Sequence, residues 1–85
     1  MNLERRSIGI FSGKVVFTEN DEDIGMTCFI IKVFKFRRGG DDIFPGFYTD
    51  YNYDMPQGKI VDVIADCTDS IEYEHLSYKR AVKIN

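Results

Sequence analysis

The sequence predicts a small all-β fold, an antiparallel meander of about five strands that curls into a barrel or a partly open barrel. β-branched and aromatic residues occur in short runs of alternating polarity, and glycines and prolines separate these runs at short intervals. The 85 residues are enough for one domain, residues 1–85. An α+β fold with a C-terminal helix is the alternative.

The first strand is predicted over SIGIFSGKVVFTE, as one bent strand or a short hairpin. Apolar residues alternate before Gly13 and again after it, at Ile8, Ile10, Val15 and Phe17. A glycine inside a strand is typical of a bulge or a barrel corner, so we expect the chain to bend there. The next residues, NDEDIG, are polar and predict an exposed turn.

The longest strand is predicted over MTCFIIKVFKFRR. Its first half is apolar at consecutive positions, which indicates a strand in the centre of the sheet, buried on both faces. Its second half alternates, which places Lys32, Phe34 and Phe36 on one face and Val33, Lys35 and Arg37 on the other.

The segment RRGGDD predicts a two-residue hairpin loop, because both glycines can adopt the positive φ of a primed turn. That register places Arg38 opposite Asp41, Arg37 opposite Asp42 and Phe36 opposite Ile43. Opposite charges facing each other across a hairpin contribute about 0.2–1 kcal/mol per pair. A phosphate-binding glycine loop is the less favoured alternative, since no strand-to-helix transition surrounds the segment.

The rest of the chain continues the strand-and-turn pattern. Pro45 predicts an edge or a bulge, GFYTDYNYD an extended segment, MPQG a turn and KIVDVIADC a further strand. The tail SIEYEHLSYKRAVKIN alternates as a strand from Leu76 to Ile84. A helix is its alternative, because its acidic residues come early and its basic residues late.

Charge is distributed unevenly along the chain, although the net charge is only −3. Residues 41–74 contain nine acidic residues and one lysine, a local charge of −8, whereas the residues before and after this block carry +2 and +3. Such a block creates a negative field unless folding places it beside basic residues from other strands.

Catalytic and metal-binding patterns are not found in the sequence, so we expect neither an enzyme nor a cofactor. His75 is the only histidine, which excludes a two-histidine metal site. Asp50, Asn52 and Asp54 have the first spacings of a calcium loop, but the glycine and glutamate that such a loop requires are replaced by Met55 and Val61. Two isolated cysteines, Cys28 and Cys67, predict reduced and buried thiols. A single disulfide is the alternative if the strands bring the two residues together.

The acidic block suggests a first function hypothesis, a protein-binding module or inhibitor with a basic partner surface. An extended segment can bury only one of its faces in so small a domain, so some tyrosines should stay exposed beside carboxylates. The expected contact residues are Phe47, Tyr48, Asp50, Tyr51, Tyr53 and Asp54. An accessory protein of a phage or mobile element that occupies a basic groove of a host enzyme is one version of this hypothesis.

The alternative hypothesis is a small β-barrel that binds single-stranded nucleic acid or a small anionic ligand. Rings beside cations on one strand face suit base stacking and phosphate binding. The residues expected to bind the ligand are Lys32, Phe34, Phe36, Arg37 and Arg38.

The opening residues lack the apolar run of a secretory signal, so a cytoplasmic protein without a membrane partner is expected. An exposed edge strand would allow a homodimer.

Overall fold

The computed structural model describes residues 7–35 and 39–85, and it confirms the all-β prediction. Within these ranges the chain forms five strands: β1 (Ile8–Asp21), β2 (Met26–Val33), β3 (Gly46–Thr49), β4 (Ile60–Tyr73) and β5 (Leu76–Ile84). The described part of the chain contains no helix that is long and apolar enough to cross a membrane. The C-terminal helix that the sequence allowed as an alternative is wrong, since that segment is β5.

The five strands form one sheet that closes on itself as a barrel in the order β1-β2-β3-β5-β4, with β4 returning to β1. Four of the pairings are antiparallel. The fifth, between β3 and β5, is parallel and joins only two residue pairs, Phe47 with Lys79 and Tyr48 with Arg80. This short parallel pairing is the seam that closes the barrel.

The predicted bent strand is β1, which pairs with β4 along its first half and with β2 along its second half. Gly13 lies where the two pairings meet, opposite both Val33 and Val61. A Cβ atom at Gly13 would lie 2.2 Å from the carbonyl oxygen of Lys32, so only glycine allows this close approach. A register shift between Val15 and Phe17 then bends the strand around the barrel.

The barrel interior is filled by apolar side chains from every strand and from the β3–β4 connection. Phe47 is at its centre, with its ring centroid 5.2 Å from that of Phe11 and 5.5 Å from that of Phe29. Met55, in the β3–β4 connection, packs into the same cluster. The other buried members are Val15, Ile31, Val61, Val63, Ala65 and Ala81.

A second apolar cluster covers the outer face of β2 and β3. It contains Met26, Cys28, Tyr48 and Tyr78, with Ile30, Ile71 and Tyr73 packed against it. The β4–β5 hairpin supplies three of these side chains and therefore covers the outside of β2. This packing confirms the prediction that the first half of the second strand is buried on both faces.

The two cysteines are free thiols in different surroundings. Burial, together with the nearby carboxylates of Glu19 and Asp21, raises the pKa of the Cys28 thiol to about 11. Cys67 is only half-buried. The prediction of unpaired cysteines is confirmed, whereas burial holds for Cys28 alone.

The predicted register of the RRGGDD hairpin is wrong. The Val33 amide donates to the Ile43 carbonyl (3.0 Å) and the Ile31 amide to the Pro45 carbonyl (3.2 Å), so Ile43 pairs with Val33. The predicted register would place Phe47 opposite Lys32, on the outer face. The observed register pairs Phe47 with Phe29 inside the barrel. Burying one such ring contributes about 1.5–3 kcal/mol, more than the charge pairs across a hairpin do.

Other local predictions have mixed outcomes. Gly39 and Gly40 have the predicted positive φ values of 84° and 77°. A turn forms one residue later than the predicted MPQG turn, over residues 56–59, because the Lys59 amide donates to the Pro56 carbonyl (3.3 Å) and Gly58 has a φ of 90°. The extended segment after Pro45 is shorter than predicted, since β3 ends at Thr49. Residues 36–38, and with them the predicted pairs of Arg37 and Arg38, lie outside the described residues.

Candidate functional site

A concave surface lies where β2 leaves the barrel. A groove of about 340 Å³ opens beside the end of this strand. Residues of β1, β2 and the following loop line it: Lys14, Lys32, Val33, Phe34, Lys35 and Asp42. Three lysines and one carboxylate therefore surround one aromatic ring.

A second depression of about 440 Å³ adjoins the groove. It is lined by Ile10, Phe11, Ser12, Val33 and Phe34. Val33 and Phe34 line both depressions. The lining of the groove is therefore largely basic and that of the second depression mostly apolar.

Backbone hydrogen bonds fix the position of Phe34 although it follows the last residue of β2. Its amide donates to the Ser12 carbonyl of β1 (3.0 Å), and the preceding residue, Val33, bonds to Ile43. The Phe34 side chain is still 45% exposed. A large ring held in place and left open to solvent is a suitable surface for stacking against another flat group.

The three lysines come from adjacent strands and from the loop. Lys14 of β1 lies directly opposite Lys32 of β2 in the antiparallel ladder. Like charges in this arrangement repel each other, so an anion placed between them is favoured. Among the residues that the structure describes, Lys14 makes no ion pair, whereas Lys32 and Lys35 both approach Asp42.

Asp42 bridges two of these lysines. Its carboxylate lies 2.9 Å from the Lys35 Nζ atom and 3.7 Å from the Lys32 Nζ atom. The hydrogen bond from Lys35, with the charge of Lys32, lowers the pKa of the Asp42 carboxyl below its ordinary value. The carboxylate is therefore ionised at neutral pH and occupies an anion position in the groove.

Acidic residues concentrate at the C-terminal end of β1, where the tips of the β1–β2 and β4–β5 hairpins meet. The Tyr73 hydroxyl of β4 lies 3.0 Å from both the Glu19 and the Asp21 carboxylates of β1. Seven residues of extended strand separate Lys14 from Asp21, which is roughly 20 Å. The acidic hairpin tips are thus well separated from the lysines of the groove.

Two of the residues expected to contact a protein partner are buried. Phe47 is 0% exposed and belongs to the barrel core, and Tyr48 is 4% exposed. The Tyr48 hydroxyl donates to Asp69 (2.9 Å), and the Arg80 guanidinium lies 5.1 Å from its ring centroid. The expectation that these rings lie open to solvent is wrong, because β3 is a central strand with a covered outer face.

The other four expected contact residues have varied surroundings. Asp50 accepts a hydrogen bond from Arg80 (2.8 Å), and Tyr53 is half-buried against the core with Lys59 over its ring at 5.8 Å. Tyr51 is 52% exposed and Asp54 is exposed. Of the expected contact residues, Tyr51 and Asp54 are therefore exposed, and Asp54 makes no ion pair with a residue that the structure describes.

The alternative residue set is only partly described. The structure brings Lys32 and Phe34 together in the groove, while Phe36, Arg37 and Arg38 lie outside the described residues. Sequence reasoning missed Lys14 and Asp42 as members of this site. Lys14 is distant in sequence and reaches the groove only through the β1–β2 register. The predicted hairpin placed Asp42 opposite Arg37 and did not bring it to Lys32 and Lys35.

No group of three or more metal-ligating side chains is found among the residues that the structure describes. Comparisons with known proteins found no matching family model, no matching curated protein and no matching solved structure. Any function of the groove around Phe34 must therefore be inferred from the chemistry of its lining residues.

Proposed function

We propose that the protein is a non-enzymatic binding module that holds single-stranded nucleic acid at Phe34 and its neighbouring lysines. The observation that carries the proposal is the half-exposed Phe34, which lines both a basic groove and a mostly apolar depression. Proteins that bind single strands combine basic grooves along the phosphate backbone with rings on which bases stack.

The dimensions of the site favour an unpaired nucleotide as the ligand. Both depressions, at about 340 and 440 Å³, have the size of ligand sites that accept small molecular groups. Only an unpaired base can place its face on an exposed ring that lines these depressions, because the bases of a duplex are already stacked. The lysines then lie on the side where the phosphates would run.

Separation of charge supports an anionic ligand despite the net charge of −3. The acidic hairpin tips lie roughly 20 Å from Lys14, beyond the screening length of about 8 Å at physiological salt. Their repulsion of a phosphate bound in the groove is therefore weak. Arg37 and Arg38 follow Lys35 closely in the chain and add two positive charges to the same segment.

A fluorescence anisotropy titration with a labelled oligothymidylate tests the proposal. We expect saturable binding at low salt, and a slope of log K against log salt of about −2 for three lysine–phosphate contacts. Two further contacts from Arg37 and Arg38 would steepen the slope to about −3.5. Binding that does not respond to salt, or no binding at 50 mM salt, would refute the proposal.

A pair of phenylalanine variants tests the stacking role. Phe34→Ala should weaken oligonucleotide binding about 5- to 150-fold, since stacking on one ring contributes about 1–3 kcal/mol. Phe44→Ala is the matched control, because Phe44 is exposed in the same connection but does not line either depression. Equal affinities of the two variants would show that Phe34 makes no contact with the bases.

The hypothesis of a basic protein partner has weaker support, since the barrel buries two of its expected contact residues, Phe47 and Tyr48. Of the expected contact residues, Tyr51 and Asp54 are exposed and so remain available to a partner. The same titration separates the two hypotheses, because an acidic protein-binding surface predicts no affinity for the oligonucleotide at either low or high salt.

A further inference from the structure

The position of Asp42 has a consequence for any anion that enters the groove. Its two carboxylate oxygens face different lysines, Oδ1 at 2.9 Å from Lys35 and Oδ2 at 3.7 Å from Lys32. A phosphate group that binds between these lysines would use the same Nζ atoms. A phosphate and the Asp42 carboxylate therefore compete for one position.

The segment that carries Asp42 is held to the groove by side-chain contacts. Lys35 also donates to the Gly40 carbonyl (2.8 Å), so this one lysine binds the loop at two points. The last backbone bond of the ladder lies at Ile43, and Asp42 is outside every strand. Asp42 can therefore leave the lysines without breaking a strand pairing.

We propose that Asp42 acts as an internal competitor, a carboxylate that occupies the phosphate position of the groove until a nucleic-acid phosphate displaces it. The inference rests on the proposed function, because it concerns the same groove and the same ligand. Asp42 would then set the affinity of the groove for anions. A ligand with several adjacent phosphates displaces the carboxylate, whereas a single weak anion does not.

Replacement of the carboxylate by its uncharged isostere tests the inference. Asp42→Asn should bind the labelled oligothymidylate about five-fold or more tightly at 50 mM salt, because two lysines become free and one repulsive charge is lost. The gain should shrink as salt increases, because salt screens the repulsion between the Asp42 carboxylate and the phosphates that the substitution removes.

Asp41→Asn is the matched control. Asp41 is exposed and adjacent in the chain, and it makes no ion pair with any residue in the described ranges. The substitution changes the net charge by the same amount, so it measures the general effect of charge on binding. We expect less than a two-fold change in affinity from Asp41→Asn, and an unchanged circular dichroism spectrum for both variants.

The outcomes separate the inference from the proposed function. Tighter binding by Asp42→Asn than by Asp41→Asn supports the competitor role. Equal or weaker binding by Asp42→Asn, with wild-type binding that still requires Phe34, overturns the competitor role and leaves the proposed function standing. Absence of oligonucleotide binding by the wild type and by Asp42→Asn overturns both.

Discussion

Aromatic residues four positions apart have opposite roles in this protein. Phe47 is fully buried between two other rings, whereas Tyr51 is 52% exposed just after the same strand. Both belong to one run of aromatic and acidic residues, GFYTDYNYD, whose composition does not distinguish them. Their difference arises because β3 ends at Thr49 and the chain then leaves the sheet.

This difference predicts unequal effects of truncation on stability. Phe47→Ala should lower the free energy of unfolding by about 3–5 kcal/mol, because it leaves a cavity at the centre of the barrel. Tyr51→Ala should change the free energy of unfolding by no more than about 0.5 kcal/mol. Urea unfolding monitored by circular dichroism measures both variants. Similar midpoints for the two would contradict the placement of Phe47 in the core.

At the scale of the element, the β4–β5 hairpin contains a backbone conformation that its residues disfavour. Glu74 and His75, at the tip of this hairpin, have φ values of 50° and 71°. Side chains with a Cβ atom lose roughly 1–2 kcal/mol in this left-handed region, and primed two-residue turns favour Asn-Gly instead. The hairpin forms in spite of this cost because Ile71, Tyr73 and Tyr78 pack on the outer cluster.

Replacing the two turn residues should therefore stabilise the protein. The double variant Glu74→Asn, His75→Gly should increase the free energy of unfolding by about 1 kcal/mol, which corresponds to a rise in Tm of about 4–8 °C. The matched control is Glu22→Asn with Asp23→Gly in the β1–β2 turn, where neither residue has a positive φ. Differential scanning calorimetry should show no gain for this control; an equal gain would contradict the role of backbone strain.

At the scale of the whole molecule, closure of the barrel depends on the short parallel seam between β3 and β5. Side chains reinforce it from the outside, since the Arg80 guanidinium of β5 donates to both Asp50 (2.8 Å) and Asp69 (2.6 Å). These hydrogen bonds lower the pKa of both carboxyls, and the Tyr48 hydroxyl contributes a further bond to Asp69. One cation therefore joins the end of β3, β4 and β5.

The pH dependence of stability follows from the lowered pKa values. The unfolded chain protonates its aspartates near pH 3.9. Because the folded values lie below this, the pairs stabilise the protein above about pH 4 and lose that contribution as the pH falls through the folded pKa values. Arg80→Gln should lower the urea midpoint at pH 7, and the difference from wild type should shrink at pH 2.5.

Lys79→Gln is the control for this measurement, since Lys79 is the neighbouring cation on β5 and makes no ion pair with a described residue. Its urea midpoint should equal that of wild type at both pH values. If Arg80→Gln showed the same loss at pH 7 and at pH 2.5, the stabilisation would come from packing of Arg80 over Tyr48 and not from its carboxylate partners.

Much of the fold could be predicted from the sequence because it depends on local patterns. Alternating polarity predicted β1 and β5, consecutive apolar residues predicted the buried half of β2, and Pro56 with Gly58 predicted the turn before β4. Each of these depends on side-chain direction or backbone preference within a few residues. The sequence by itself therefore determined the class of the fold, the order of its strands along the chain and the approximate positions of the turns after β1 and before β4.

Tertiary structure alone decided the register between β2 and β3, the parallel seam and the membership of the groove. The register depends on which alignment buries Phe47 beside Phe29, a contact that a charge pattern near the loop does not predict. Lys14 meets Lys32 only after β1 and β2 pair, and Asp42 reaches Lys35 only in the observed register of β2 and β3. These features depend on burial between distant residues, whose energy exceeds that of the local charge pairs.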